Sequence, residues 1–178
     1  MPDSDSNLVL RTLNGDKSAF GQLYDRYARL IRAICRDSTA DLSVAQDLAQ
    51  ECFLRAYAKL GELKEPGSFG PWLISIARNV GREHIRSKSR DRHVLAGEST
   101  EEFVDEKSEE QNDRLGYLSE AMQQLDEQER LALHVYYLQG EDVDEVKRLL
   151  NVSRSGLYRL LARGREKIEK FIKQKENQ

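Results

Sequence analysis

The sequence has few residues of the kinds that bind metals, form disulfides or cross membranes. Its 178 residues include only two cysteines, Cys35 and Cys52, and these lack the close paired spacing of a zinc site. Both fall in amphipathic helical patterns, so we interpret them as buried free thiols. No stretch approaches the ~20 apolar residues of a transmembrane helix. The opening MPDSDSN has neither the basic region nor the apolar core of a signal peptide, so we expect a cytoplasmic location without membrane insertion.

The patterns that carry catalytic chemistry are also missing. The three histidines are scattered along the chain, and there is no glycine-rich phosphate loop or nucleophile motif. The carboxylates follow helix faces rather than forming a convergent pair. We interpret His84 and His134 as satisfied helix residues rather than catalysts. The expectation is a protein that is not an enzyme, with no catalytic residues, no cofactor and no metal site.

Charge is abundant but unevenly distributed. Charged residues make up 33% of the chain and hydrophobic residues 39%, with a mean hydropathy of -0.69, which is typical of a soluble helical protein. The net charge of -3 argues against nucleic-acid binding only if it is spread evenly. Residues 147–178 hold 10 basic and 3 acidic side chains, and residues 78–92 form a second basic cluster. Local potential governs binding to polyanions, so both clusters are candidate contacts.

An acidic stretch divides the chain. Residues 97–114 are polar, carry few apolar side chains and show no helical or strand period. Self-repulsion of its carboxylates favours an extended, flexible linker, whether or not it also binds a partner. We therefore predict an all-α protein of two small helical domains: residues 1–92, an acidic linker over 93–117, and residues 118–178.

The first module has three long amphipathic patterns. Apolar residues recur at three-and-four spacing over 20–34, 45–60 and 72–80, which predicts helices that close a three- or four-helix core. Asp16 is a plausible N-cap of one helix. Pro71 suits the first position of another, where its missing N–H costs nothing.

The third of these helices has two contrasting faces. Its apolar stripe consists of Trp72, Leu73, Ile76, Ala77 and Val80. Its polar stripe consists of Ser75, Arg78, Asn79, Arg82 and Arg86. The alternative is that this stripe is simply a basic helix surface in contact with solvent. However, only Glu83 and Asp91 are available to pair with the arginine and lysine side chains between residues 78 and 92. Unpaired arginines repel one another unless a polyanion lies there, so contact with nucleic acid is favoured.

The second module is predicted to hold four helices that end in a helix-turn-helix. Gln139 and Gly140 break the second helix, NVS forms the later turn, and Ser153 or Ser155 caps the last helix. That helix presents Arg154, Tyr158, Arg159, Arg163, Arg165 and Lys167. Arg154 and Arg159 lie near its start, where a recognition helix meets base edges and phosphates.

Two strings in the sequence resemble a known family. QDLAQECFLRAYAKL and FGPWLISIARNVGREHIRSKSR are similar to region two of bacterial RNA polymerase sigma factors of the extracytoplasmic-function (ECF) group. The segment from LDEQERLALHVYYLQGEDVDEV to RGREKI is similar to sigma region four. Here the sequence departs from the family at Asp126, usually proline, and Gly156, usually threonine.

The resemblance implies a role for particular residues. The polymerase-docking surface holds Asp47, Gln50, Glu51 and Phe53. The surface that meets the minus-ten promoter element holds Leu63 at a base-capturing loop, Asn79 beside it, and Arg78, Arg82 and Arg86 toward the strand. Recognition of the minus-thirty-five element falls to Arg154, Ser155, Tyr158, Arg159 and Arg163. Glu83 stands where the family usually has aspartate.

The expected partners are therefore core RNA polymerase, promoter DNA and an anti-sigma factor. Two alternatives stay open on the sequence. A dimeric helix-turn-helix regulator requires tight duplex binding without polymerase, and a helical adaptor requires only protein contacts. Neither explains why the region-two string precedes the helix-turn-helix string in one chain.

Overall fold

The regular structure of the protein is helical wherever it is described. The computed structural model describes residues 3–94, 109–140 and 142–176. Residue contacts divide the chain into two units, 1–98 and 99–178, which we call unit 1 and unit 2. The predicted all-α fold with two helical modules is confirmed. Across the described ranges, none of the helices combines the length and apolar character needed to cross a bilayer.

Unit 1 has four helices and two 3-10 turns. They are α1 (Asp5–Leu13), α2 (Lys17–Arg36), α3 (Leu42–Ala58), the turns Leu60–Glu62 and Pro66–Ser68, and α4 (Phe69–Val94). Helices α2, α3 and α4 pack against one another, and α1 packs on α2. The predicted stripes supply the core, which includes the buried side chains of Leu23, Ile31, Leu48, Phe53, Leu73 and Val80.

The ends of the helices in unit 1 follow local rules. Asp16 caps α2 as predicted, since its carboxylate accepts a hydrogen bond from the Ser18 N–H at 3.0 Å. Hydrogen bonds from Ser18 and Arg11 lower the pKa of Asp16 to about 2. The prediction for Pro71 is wrong, because α4 begins at Phe69 and Pro71 is its third residue. The backbone N–H groups in the first turn of a helix have no acceptor within the helix. The N–H that proline lacks is therefore not needed at the third position, and the proline is tolerated.

The two cysteines are buried and free, as predicted. Cys35 on α2 and Cys52 on α3 bring their Sγ atoms to 3.7 Å. The hydrogen bond with Cys35 and burial both raise the pKa of the Cys52 thiol. Because the thiolate is the reactive form, Cys52 is held in its unreactive protonated state.

Unit 2 has the elements α5 (Glu109–Gln123), α6 (Glu127–Leu138), α7 (Val143–Leu150) and α8 (Arg154–Glu176). Asp126 caps α6 in a capping box, accepting from the Glu129 N–H at 2.8 Å while the Glu129 carboxylate accepts from the Asp126 N–H. This explains how the chain starts α6 where the family usually has proline.

The predicted helix-turn-helix is α7, a tight turn and α8. Asn151 ends α7 in the left-handed conformation with φ 52°. Ser153, rather than Ser155, caps α8, because its Oγ accepts from the Gly156 N–H at 3.1 Å. Leu157 and Leu161 are buried, which fixes the face of α8 that turns toward the core.

The start of α5 differs from the sequence reading. The helix begins at Glu109, nine residues before Leu118, so the last part of the predicted linker has helical backbone. Its first residues, EEQNDR, include good helix formers but no apolar stripe, and glutamates favour a helix N-terminus. Residues 95–108 of the predicted linker lie outside the described residues, so the linker stays a prediction.

A close approach between α4 and the α2–α3 connection predicts a stability effect. A Cβ atom at Gly81 would lie 2.3 Å from Ser38 Oγ and 3.3 Å from Ser38 Cβ. We expect Gly81→Ala to lower the free energy of unfolding by about 1–2 kcal/mol through overpacking. The control is Gly21→Ala on α2, where nothing lies within 4 Å. It is expected to stabilise by about 0.5–1 kcal/mol through helix propensity. Urea denaturation measures both, and a Gly81→Ala protein as stable as wild type would contradict the expectation.

Candidate functional surfaces

Helix α4 carries the two opposed stripes that its sequence predicts. Leu73, Ala77 and Val80 are buried on one side. On the other side Asn79, Arg82 and Arg86 are exposed, and Arg78 is half-buried at the flank. The exposed arginines and the amide of Asn79 therefore share one accessible face. We call the set Arg78, Asn79, Arg82 and Arg86 the α4 basic face.

The loop before α4 holds Leu63 half-exposed between the two 3-10 turns. Leu63 has an extended backbone and its N–H donates to the Leu60 carbonyl at 3.1 Å. The loop is anchored at both ends, because Leu60 is 2% exposed and Phe69 is fully buried. We call residues 62–68 the Leu63 loop.

An ion-pair cluster links α3 to α4. Arg55 Nη2 lies 2.6 Å from Glu51 Oε1 and 2.7 Å from Glu83 Oε2. The hydrogen bond from Arg55 lowers the pKa of Glu83, and the same contacts raise the pKa of Arg55. Glu51, a predicted docking residue, is thus engaged within unit 1. All three side chains are partly exposed, so solvent screening limits each pair to about 1 kcal/mol or less.

The predicted docking residues divide into surface and support. Asp47 and Gln50 are exposed on α3, whereas Phe53 is 5% exposed and its ring lies 4.5 Å from the Tyr24 ring. Phe53 therefore lies under the surface. Leu54, one turn beyond Gln50, is 71% exposed, and Tyr57 is 44% exposed. We call Asp47, Gln50, Leu54 and Tyr57 the α3 outer face.

Sequence reasoning missed Leu54 and Tyr57 as candidates. Leu54 falls outside the apolar period that defines the core stripe of α3, which is the signal that could have identified it. Tyr57 has an edge-on contact with Phe20, with ring centroids 4.9 Å apart, so part of its ring is covered. Leu54 and Tyr57 are three residues apart on α3, so the two exposed side chains are neighbours on one face of the helix.

The first three turns of α8 carry the predicted minus-thirty-five residues. Arg154, Ser155, Tyr158, Arg159 and Arg163 are all exposed there. Tyr158 is 52% exposed among the arginines. Arg154 Nη2 lies 3.9 Å from Asp144 Oδ2, a long contact between two exposed groups. We call these five residues the α8 basic face.

Two further basic residues on α8, Arg165 and Lys167, contact α6 within unit 2. Arg165 Nε donates to the Tyr137 hydroxyl at 3.0 Å, and its guanidinium lies over both the Tyr136 and Tyr137 rings. Lys167 Nζ lies 2.6 Å from the carboxylate of Glu129, which is almost completely buried. Arg165 and Lys167 are exposed on α8 as predicted, and each also has a partner on α6.

One histidine also departs from expectation. His84 is half-buried on α4, and its Nε2 atom has no hydrogen-bond partner among the residues described. His84 is a helix residue as predicted, but its Nε2 atom departs from the expected satisfied state.

Two helical units, each with an exposed arginine-rich helix face and one containing a helix-turn-helix, define a class of nucleic-acid-binding protein. Comparison with known protein families identifies two matching regions in the chain. The chain matches Sigma-70 region 2 over residues 23–91 and Sigma-70, region 4, over residues 115–168. The chain belongs to the RNA polymerase sigma factors, in the ECF group.

Relatives support this placement over most of the chain. RNA polymerase sigma factor CarQ of Myxococcus xanthus is 32% identical over 168 residues, covering 91% of this chain and 94% of CarQ. ECF RNA polymerase sigma factor BldN of Streptomyces coelicolor is 33% identical over 157 residues. Probable RNA polymerase sigma factor RfaY of Xanthomonas campestris pv. campestris is 30% identical over 173 residues. The match spans 83% of this chain but 60% of BldN, and 90% of this chain but 42% of RfaY.

Solved structures share the fold. CnrH in complex with the cytosolic domain of CnrY has a TM-score of 0.66 and 22% identity, covering 96% of this chain and 98% of CnrH. The sigma factor RpoE of Bartonella quintana, in complex with the anti-sigma factor NepR, has a TM-score of 0.63 and 19% identity. That match covers 86% of this chain and 96% of RpoE.

Proposed function

We propose that this protein is a dissociable promoter-recognition subunit of RNA polymerase with no enzymatic activity of its own. Unit 1 binds core polymerase through the α3 outer face and meets the minus-ten element through the α4 basic face. Unit 2 meets the minus-thirty-five element through the α8 basic face. Helix α4 carries the proposal, because its buried stripe fixes the helix in unit 1 while Arg82 and Arg86 are exposed and Arg78 is half-buried beside them.

The chemistry of the α4 basic face suits an opened DNA strand. Guanidinium groups bind phosphates in a sequence-independent way and give a salt-dependent affinity. Asn79 offers an amide that can read a base edge, and Leu63 lies in the loop that precedes the helix. A base removed from the stack needs a pocket and an edge-reading group, while the strand behind it needs cations.

The α8 basic face suits duplex DNA. A helix-turn-helix places the start of its second helix in the major groove, and the exposed residues of this face occupy that start. Arginines there contact phosphates or guanine edges, and Tyr158 adds an apolar surface with a polar tip.

An anti-sigma protein is a further proposed partner. The RpoE structure of similar fold was solved with the anti-sigma factor NepR. The surfaces such a protein has to cover here are the α3 outer face and the α8 basic face.

The experiment that tests the function is reconstituted transcription. The purified chain is added to core RNA polymerase with a pool of genomic promoters, and the start sites are sequenced. We expect promoter-dependent initiation with the complex and weak duplex binding by the chain alone in gel shifts. No initiation together with no recovery of core polymerase in pull-downs would exclude the proposal. Tight duplex binding without polymerase would instead favour a stand-alone regulator.

A prediction for the α8 basic face follows. We expect Arg159→Gln with Arg163→Gln to lower initiation about 30-fold or more on promoters that need the minus-thirty-five element, since each lost base or phosphate contact costs about 1–3 kcal/mol. Affinity for core polymerase is expected to stay unchanged. The matched control is Lys170→Gln with Lys173→Gln, which removes the same charge from the far end of α8. Equal losses in both double variants would show that charge, rather than position, matters.

A further inference from the structure

Helix α1 contacts the Leu63 loop at the turn that closes it. The helix packs against both 3-10 turns, Leu60–Glu62 and Pro66–Ser68, as well as against α2. Ser6 lies close to Gly67, because a Cβ atom on Gly67 would be 3.1 Å from Ser6 Oγ. No side chain larger than glycine fits there unless Ser6 or the loop moves.

The N-terminal end of α1 is itself held rigidly. Asp5, which is 6% exposed, accepts a hydrogen bond from the Tyr27 hydroxyl at 2.5 Å and pairs with Arg26. Arg26 also donates to the Asp3 carbonyl at 2.7 Å. A buried carboxylate with two donors from α2 fixes its neighbour Ser6 in place, because moving α1 would strand that charge.

Tyr27, which holds Asp5, also contacts the residue that follows the Leu63 loop. The Tyr27 ring is fully buried, and its centroid lies 5.8 Å from that of Phe69, the first residue of α4. The Leu63 loop is thus bounded by one connected set of contacts: Ser6 against Gly67 within the loop, and Tyr27 against Phe69 at its exit. Leu63 itself is half-exposed.

We propose that α1 is the positioning element of the Leu63 loop, and that the close approach to Ser6 that glycine allows at position 67 sets the position of the loop and with it the base that the loop accepts in the minus-ten element. This inference rests on the proposed function. Asp5 and Gly67 are positioning residues, since they act through α1 and the loop rather than by touching DNA. Base discrimination depends on placement to within fractions of an ångström, because a displacement of about 1 Å can cost about 100-fold.

Gly67→Ala isolates the contact. The backbone of Gly67 lies outside the left-handed region, so alanine adds no backbone strain and changes only the approach to Ser6. Ser6→Ala removes the Oγ atom that the new methyl group meets. Gly61→Ala is the matched control, because it adds the same methyl group just before the loop with nothing within 4 Å.

The experiment uses the full chain with core RNA polymerase and promoter DNA randomised at the minus-ten element. Transcripts are sequenced to obtain the base preference, and polymerase affinity is measured for each variant. We expect Gly67→Ala to reduce the preference at one position about three- to tenfold, since the displacement is a few tenths of an ångström. The combination Ser6→Ala with Gly67→Ala is expected to restore it, and Gly61→Ala and Ser6→Ala to match wild type.

Three outcomes are distinguishable. An unchanged preference in Gly67→Ala overturns the inference while wild-type initiation leaves the proposed function standing. A loss that Ser6→Ala does not rescue also overturns it, because the contact with α1 is then not the cause. If wild type itself initiates nowhere with core polymerase, the proposed function fails, and the inference fails with it.

Discussion

Replacing Arg78, Arg82 and Arg86 together by glutamine is expected to abolish most promoter melting while leaving polymerase binding intact. Each phosphate contact to a single strand contributes a slope of about 0.7 in log affinity against log salt. Three lost contacts therefore cost about 100-fold near 0.1 M salt and lower the salt slope by about 2. Permanganate reactivity of the minus-ten thymines measures melting, and a salt titration measures the slope.

The chain offers a matched control for that triple variant. Arg29, Arg32 and Arg36 are exposed on α2 with nearly the same spacing. Glutamine at these three positions removes the same charge from another face of unit 1. The triple lysine variant of the α4 basic face, which keeps the charge, should retain a large part of the melting. Undiminished melting in the glutamine variant would remove the α4 basic face from the proposal, and with it the main support for the function.

The second large effect is expected at Leu54. Its side chain is 71% exposed on α3, so Leu54→Asp should leave the free energy of unfolding within about 0.5 kcal/mol of wild type. A buried apolar anchor at an interface is worth about 2 kcal/mol or more. Loss of that anchor and burial of a new carboxylate should weaken binding to core polymerase about 100-fold or more. Fluorescence anisotropy of labelled protein against core enzyme gives the affinity directly.

Leu10 on α1 provides the comparison for Leu54. It is 51% exposed and belongs to none of the surfaces assigned above. Leu10→Asp should therefore bind polymerase as wild type does. Equal affinity of wild type and Leu54→Asp would show that the α3 outer face does not dock on polymerase.

The helices were predictable because apolar spacing encodes them. The stripes of α2, α3 and α4 and the cap at Asp16 are local signals, and all are found in the structure. The start of α5 was missed because EEQNDR has helix propensity without an apolar face, so no periodicity marks it.

Side-chain partners were harder to foresee. Glu51 and Arg55 have the i, i+4 spacing of a helical pair, yet the second contact of Arg55, with Glu83, depends on how α3 meets α4. Arg165 and Lys167 are exposed on α8 as the sequence predicts, but their contacts with Tyr137 and Glu129 depend on how α6 packs against α8. Sequence periodicity finds faces, but it does not determine which charged side chains on a face have a partner on another helix.

The buried thiols have a practical consequence for spectroscopy. Cys35 and Cys52 are inaccessible, and Cys52 is held protonated, so maleimide reagents should leave the native protein almost unmodified. Cysteines introduced at the exposed positions Gln22 and Ala162 would then accept a donor and an acceptor dye without removal of the natural pair. Energy transfer between the dyes would follow the separation of the two units as the chain joins polymerase and engages a promoter.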